Sequence, residues 1–203
     1  MQSPTQTPFE LKAGHPVLDF INTLDDRFMD RGPRERLASY ADLVRFCVQA
    51  GVLSRPEAQT LEASVSAAGA SRALRSARAL REALAVVLYG QVQGRLPEPA
   101  QLAPLERHFK EASRRRELRA SDIAELTWTW KGAARQPELP VWLLAEGAAE
   151  LLLSPALRRV RACEADTCRW LFLDSSKSHT RRWCDMKVCG NRMKARRFQE
   201  RHA

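Results

Sequence analysis

A chain of 203 residues that is 44% hydrophobic can bury a sizeable core, and one large plus one small domain is the natural division. No run of ~18 or more apolar residues occurs, which excludes a membrane-spanning helix, and the opening MQSPTQTPFELKAGHP lacks an export pattern, so a cytoplasmic protein is expected. The net charge of +9 is unevenly placed: residues 158–203 carry 13 Lys and Arg against 5 Asp and Glu, a surplus of +8 that leaves +1 for the rest.

Residues 1–8 are rich in Pro, Thr and Gln and are expected to form a flexible leader, and residues 9–156 read as a mainly α domain with a small β-hairpin. Val17, Phe20, Ile21 and Leu24 are spaced as one apolar helical face, with Pro16 suited to the first turn. Asp19, Asn22 and Arg27 on its polar side admit two readings. They bind neighbouring backbone, or they line a pocket for a small-molecule or anionic effector. Ser39 and Asp42 resemble the start of a second helix with the stripe Leu43, Phe46, Cys47 and Ala50, ended by Gly51. Cys47 there reads as a small buried hydrophobe. Ser54 and Glu57 form a capping box, and Ala58, Leu61 and Val65 continue that helix until Gly69 breaks it.

The clearest helix is SRALRSARALREALAVVLYGQVQG, with Ala73, Ala77, Leu80, Leu84, Val87 and Leu88 as its buried face. Arg72, Arg75, Arg78 and Arg81 step around another face. Because the domain is nearly neutral, a solvated or acid-paired row is favoured over a nucleic-acid contact. A loop from Gly94 to Pro99 and a helix to about Ser113 follow. Leu126, Trp128 and Trp130 then alternate with Thr127, Thr129 and Lys131 as a strand, with 117–120 as its hairpin partner. The two tryptophans read as core, with a ligand-stacking wall as the alternative. Pro140 opens a last helix that Pro155 stops, and that stop is the expected domain boundary.

Residues 157–203 hold four of the five cysteines as two pairs, Cys163 with Cys168 and Cys184 with Cys189. Four residues lie within each pair and fifteen between Cys168 and Cys184. Two short loops can each turn two thiolates toward one tetrahedral ion while the longer segment folds back between them. An all-sulfur set favours zinc over an iron–sulfur cluster, and without an export signal metal ligation is favoured over disulfides. With all four cysteines engaged, no open catalytic position is expected. Trp170 and Phe172 sit in a short strand, 174–177 can turn the chain, and 180–183 can return toward the second pair, giving a short hairpin. Such a unit has little core beyond Trp170, Phe172, Trp183 and Phe198. Metal would supply most of its folding free energy, about 10–16 kcal/mol in comparable finger peptides. Gly190 would let backbone approach the ion, and Asn191 would cap a terminal helix MKARRFQERH. Arg181, Arg182, Arg192, Lys194, Arg196 and Arg197 are the cations placed to contact phosphate.

The string RRWCDMKVCGNRMKARR resembles the C-terminal zinc finger named for its CGNR motif, here Cys189-Gly190-Asn191-Arg192. In that family the finger follows a helical domain called ABATE. Leu18-Asp19-Phe20 with Asn22-Thr23, the pair Arg81-Glu82 and the string AAELL at 148–152 are similar to that domain's pattern. The resemblance covers nearly the whole chain. It implies a bacterial, stress-induced transcription regulator with the four cysteines as metal ligands.

The expected protein is therefore a DNA-binding regulator, its first domain sensing a ligand or forming a homodimer. An RNA-binding module is the alternative if Trp170, Phe172 and Trp183 are exposed to stack unpaired bases. A structural or redox-responsive zinc module with a protein partner is a third. An enzyme is the weakest class, since no nucleophile–base pair, open metal site or phosphate loop is recognisable.

Overall fold

Residues 7–120 and 125–202 are described by a computed structural model. The expected leader over residues 1–8 lies mostly outside them. The architecture is mainly helical, and its strands form three two-stranded antiparallel pairs.

The first helix, α1 (Pro16–Ile21), buries Val17, Leu18, Phe20 and Ile21 completely or nearly so. It is shorter than the apolar spacing predicts. The Thr23 hydroxyl and backbone N–H both donate to the Phe20 carbonyl, closing the helix and turning the chain. Leu24 consequently falls in β1 (Leu24–Asp25), which pairs with β2 (Arg34–Glu35). Two serine caps then set the next helices. Ser39 and Asp42 form a capping box on α2 (Tyr40–Gln49), and Gly51 (φ +70) ends it. Ser54 and Glu57 do the same for α3 (Arg55–Ser64).

Gly69 does not break a helix. It lies in the first turn of α4 (Ala67–Val92), where its N–H donates to the Ser66 cap. A Cβ there would meet Pro137 Cγ at 3.1 Å, so glycine admits the close approach of that loop. The central helix α4 packs against α1, α2, α5 (Pro99–Arg114) and α6 (Leu139–Leu153). The arginine row along it is partly internal. Arg81 is buried, its guanidinium donating to both Glu35 carboxylate oxygens at 2.6 and 2.7 Å, to Glu82 at 2.9 Å and to Thr23 at 3.1 Å. Arg78 donates to the Leu37 carbonyl, while Arg72 and Arg75 are exposed.

The expected hairpin forms from β3 (Arg116–Ala120) and β4 (Leu126–Trp130), with Leu118 opposite Trp128. Its tryptophans are not both core. Trp130 stacks on Trp142, with centroids 6.1 Å apart, but Trp128 is 56% exposed and covered only by the Arg116 guanidinium at 4.6 Å. Beyond Trp130 the described hairpin side chains Leu118, Leu126 and Trp128 are all exposed.

The tail is built onto this body. Strand β5 (Val160–Ala162) pairs with β6 (Leu171–Leu173), and one continuous apolar core includes Val160, Cys163, Leu171 and Phe172 with the residues of α1 and α4. That core is larger than the few aromatics expected, and Phe198 is not part of it, being 59% exposed.

Candidate metal centre and basic surface

The first cysteine pair brackets a loop whose ends are tied: the Cys163 N–H donates to the Trp170 carbonyl, and the Cys168 N–H to that of Ala165. Arg169 follows in a left-handed conformation (φ +63). The second pair brackets a wide turn over 186–190 capped by Asp185, which accepts from the Lys187 and Val188 N–H groups. Asn191, expected as the cap, is instead helical and opens α7 (Asn191–His202). At Gly190 a Cβ would lie 2.5 Å from Met186 Sδ, so a larger residue would push that flexible side chain aside. The Glu164 N–H donates to the Arg182 carbonyl, drawing the two loops together.

The four sulfurs of Cys163, Cys168, Cys184 and Cys189 all lie within 4.8 Å of one another. Cys168 and Cys184 are 3.5 Å apart, and Cys184 and Cys189 3.7 Å. A metal ion with ~2.3 Å bonds to four thiolates requires tetrahedron edges of about 3.8 Å, so this donor set fits one. It does not fit disulfides, whose sulfurs sit ~2 Å apart. Hydrogen bonds from the Cys168 and Cys184 thiols hold Cys163 well below the usual thiol range, while the other three cysteines of the cluster are pushed up. Three of the four cysteines are buried and Cys168 is half-buried. Cys47 is buried elsewhere, on α2, and burial pushes its thiol up, away from reactivity.

The first domain grips the residues immediately after Cys168 one by one. The Tyr89 hydroxyl donates to the Arg169 carbonyl at 3.0 Å. The Trp170 indole donates to Asp25 at 2.9 Å. Asn22 pairs with both backbone groups of Leu171: its amide donates to the carbonyl at 2.9 Å and its oxygen accepts the N–H at 3.0 Å. The Leu173 N–H donates to the Ala13 carbonyl. Strand β6 thus has β5 on one edge and the first domain on the other. Lys12 bridges to Asp185 at 3.1 Å, adding a link to the second loop.

These contacts define where the proposed pocket residues lie. Asp19 accepts from the Ala13 N–H at 2.9 Å, shaping the segment that meets Leu173. Burial pushes its carboxyl up to about 6, against the backbone hydrogen bonds of Ala13 and Lys12, which hold it down. Asp19 and Asn22 border a cavity of only about 40 Å³. Arg27 is outside it, ion-paired with Glu82 and lining a separate groove with Phe28 and Tyr89. The three residues do not line one cavity.

The six cations expected at phosphate separate into two groups. Arg181 is half-buried: its guanidinium donates to the Trp183 and Cys184 carbonyls and lies 4.7 Å over the Phe172 ring. Arg182 pairs with Glu164. Arg192 donates to the Thr167 hydroxyl at 2.8 Å, and Arg196 bridges Asp166 and Glu200 at 2.8 and 2.9 Å. Lys194 and Arg197 are exposed, with no side-chain partner among the described residues. Arg201, spaced one turn after Arg197 but not among the six, donates to the Arg197 carbonyl and has no side-chain partner among the described residues. The aromatic platform needed for base stacking is not presented: Phe172 is fully buried, and Trp170 and Trp183 are half-buried.

No helix among the described residues is long and apolar enough to cross a membrane. Comparison with known families gives two matches that meet at the end of α6. The ABATE model, described as "Putative stress-induced transcription regulator", matches residues 14–155. The CGNR zinc finger model matches residues 159–202. No curated protein matches the chain.

Proposed function

Because the chain belongs to the ABATE family and ends in a CGNR zinc finger, we propose that it is a transcription regulator that contacts DNA through that finger, held together by zinc. The observation that carries the reading is the segregation of charge: +8 of the chain's +9 lies in residues 158–203, the segment closed by the four cysteines. Four thiolates on one zinc ion carry a net −2, which a few of these cations balance. The remainder is a polyelectrolyte-binding surface. Zinc is favoured by the all-sulfur set and by edges near those of a thiolate tetrahedron. Bound there, it would act as a clamp that makes the finger fold.

In this reading the first domain is the regulatory half, responding to a ligand or to a second copy. It reaches the finger through Asn22, Asp25 and Tyr89. The test is duplex-DNA binding by the purified protein across a salt series, with zinc measured on the same sample. The expected result is one zinc per chain and an affinity that falls steeply with salt. Chelation should abolish binding and added zinc restore it. Zinc-loaded protein without affinity for duplex DNA at about 50 mM salt, where phosphate contacts are strongest, refutes the reading.

A further inference from the structure

We infer that the DNA contact is made by the outer ridge of α7, formed by Lys194, Arg197 and Arg201, and that Arg181, Arg182, Arg192 and Arg196 brace the metal site instead. This inference rests on the DNA-binding reading above. It divides one basic segment into a surface that faces a partner and a set of cations that hold the finger's own loops.

The division follows from helix geometry and from the partners each cation has. At 3.6 residues per turn, positions 194, 197 and 201 fall within an arc of about 60°. Positions 192 and 196 fall together about 150° round the helix from the centre of that arc. The latter face is turned onto the first cysteine loop, where Arg192 meets Thr167 and Arg196 meets Asp166. Swinging either guanidinium to a phosphate would break its contact with that loop. Arg181 is held by two carbonyls of the second cysteine approach, and Arg182 is neutralised by Glu164. By contrast, no carboxylate among the described residues pairs with Lys194, Arg197 or Arg201. Their charge is uncompensated and points away from the knuckle.

The ridge fits a duplex. From Lys194 to Arg201 it runs about 10.5 Å along the helix axis, at ~1.5 Å per residue. That length lets its three cations reach neighbouring phosphates of one DNA strand. Phe198, 59% exposed and stacked on His202 with centroids 4.1 Å apart, borders it with an apolar edge. A single-stranded partner would stack successive bases on several exposed aromatic rings. Of Trp170, Phe172, Trp183 and Phe198, only the last is exposed, and it is already stacked on His202. Phe172 is buried, Trp170 is held by Asp25, and Trp183 lies under Arg182. The occupant is therefore duplex DNA, bound by backbone contacts.

The experiment uses the full-length, zinc-loaded protein and a fluorescent mixed-sequence DNA duplex of about 20 bp. Wild type is compared with K194A/R197A/R201A and with R192A/R196A from about 50 to 200 mM salt. Loss of three phosphate contacts lowers the slope of log affinity against log salt by about 2.7. Raising salt fourfold should then weaken the ridge variant about 40-fold less than wild type, with zinc content and melting temperature unchanged. The R192A/R196A variant should keep the wild-type slope while losing zinc more readily to a chelator. A ridge variant with the wild-type slope overturns the ridge and leaves the DNA reading standing. A wild-type protein that binds no duplex overturns both. Tighter binding of a single-stranded RNA of equal length overturns the choice of duplex.

Discussion

Replacing Asn22 with alanine removes the side chain that acts as a neighbouring strand for β6. Leu171 is fully buried, so water cannot take the place of the lost amide. Its N–H and carbonyl would both be left without a partner. Each unsatisfied buried backbone group costs about 1–3 kcal/mol, so the pair should cost about 2–6 kcal/mol, and about 3 kcal/mol is a conservative value. For a chain of this length that corresponds to a fall of about 6–12 °C in melting temperature. The same apolar core includes Leu171 and the residues of α1, so the loss should appear in the main unfolding transition. Scanning calorimetry on zinc-loaded samples provides the measurement. Asn22→Asp is the informative companion. It keeps an acceptor for the Leu171 N–H but sets an oxygen against the Leu171 carbonyl, and should be no more stable than the alanine variant at pH 8. A shift below about 2 °C for Asn22→Ala, far under the cost of two orphaned groups, would refute the idea that Asn22 anchors the finger.

Two further outcomes follow from buried charge. Asp19 has its carboxyl raised to about 6 by burial, so the native state holds this proton more tightly than the unfolded chain. The associated stability is complete below about pH 4 and is lost as pH rises through 6, by up to about 3 kcal/mol. Asp19→Asn should remove that fall. Urea unfolding of both proteins at several pH values measures the difference between them, in which metal loss at low pH cancels, and parallel profiles would sink the assignment. Arg81→Ala should cost about 3–5 kcal/mol because it strands Glu35 in a half-buried site, with Arg81→Lys intermediate. An alanine variant within about 1 kcal/mol of wild type in urea unfolding would show that the network is dispensable.

Local features were legible in the amino-acid order, and long-range ones were not. The serine caps at Ser39 and Ser54 and the stripe of α4 mark their helices because cap and stripe lie within one or two turns. The four cysteines announce a shared site for the same reason, each pair being separated by one short loop. Thr23 hides the end of α1, since its hydroxyl competes for a carbonyl that apolar spacing alone hands to the helix. Trp128 reads as core by alternation, but alternation reports which side chains share a face and not whether anything covers it. Asn22 reads from the sequence as binding neighbouring backbone or lining a pocket, and it does bind backbone, though not a neighbouring one. Its partner is a backbone group 149 residues away, which leaves no mark in side-chain pattern. The basic residues show the same limit. Arg196 and Arg197 are adjacent and chemically alike, and only the fold of the first cysteine loop brings Asp166 to one of them.

The placement of the grip explains why the finger is not a free-standing module. Tyr89, Asp25 and Asn22 hold residues 169, 170 and 171, the three that follow Cys168 of the four-cysteine cluster. The backbone that presents this sulfur is therefore fixed by the first domain as well as by the metal. An ion that binds only the assembled site stabilises whatever assembles it, by an amount set by its concentration relative to its dissociation constant. Linkage makes this coupling reciprocal: to the extent that the grip is ordered together with the metal, a change that weakens the grip weakens the metal by up to that free energy. With about 3 kcal/mol at Asn22, and 1.4 kcal/mol per factor of ten, the alanine variant should hold metal up to about 100-fold less tightly in competition with a chelator. The same path runs in the other direction. A ligand or a second copy that shifts α1 or the end of α4 acts on residues 169–171, and through them on the loop against which α7 is docked.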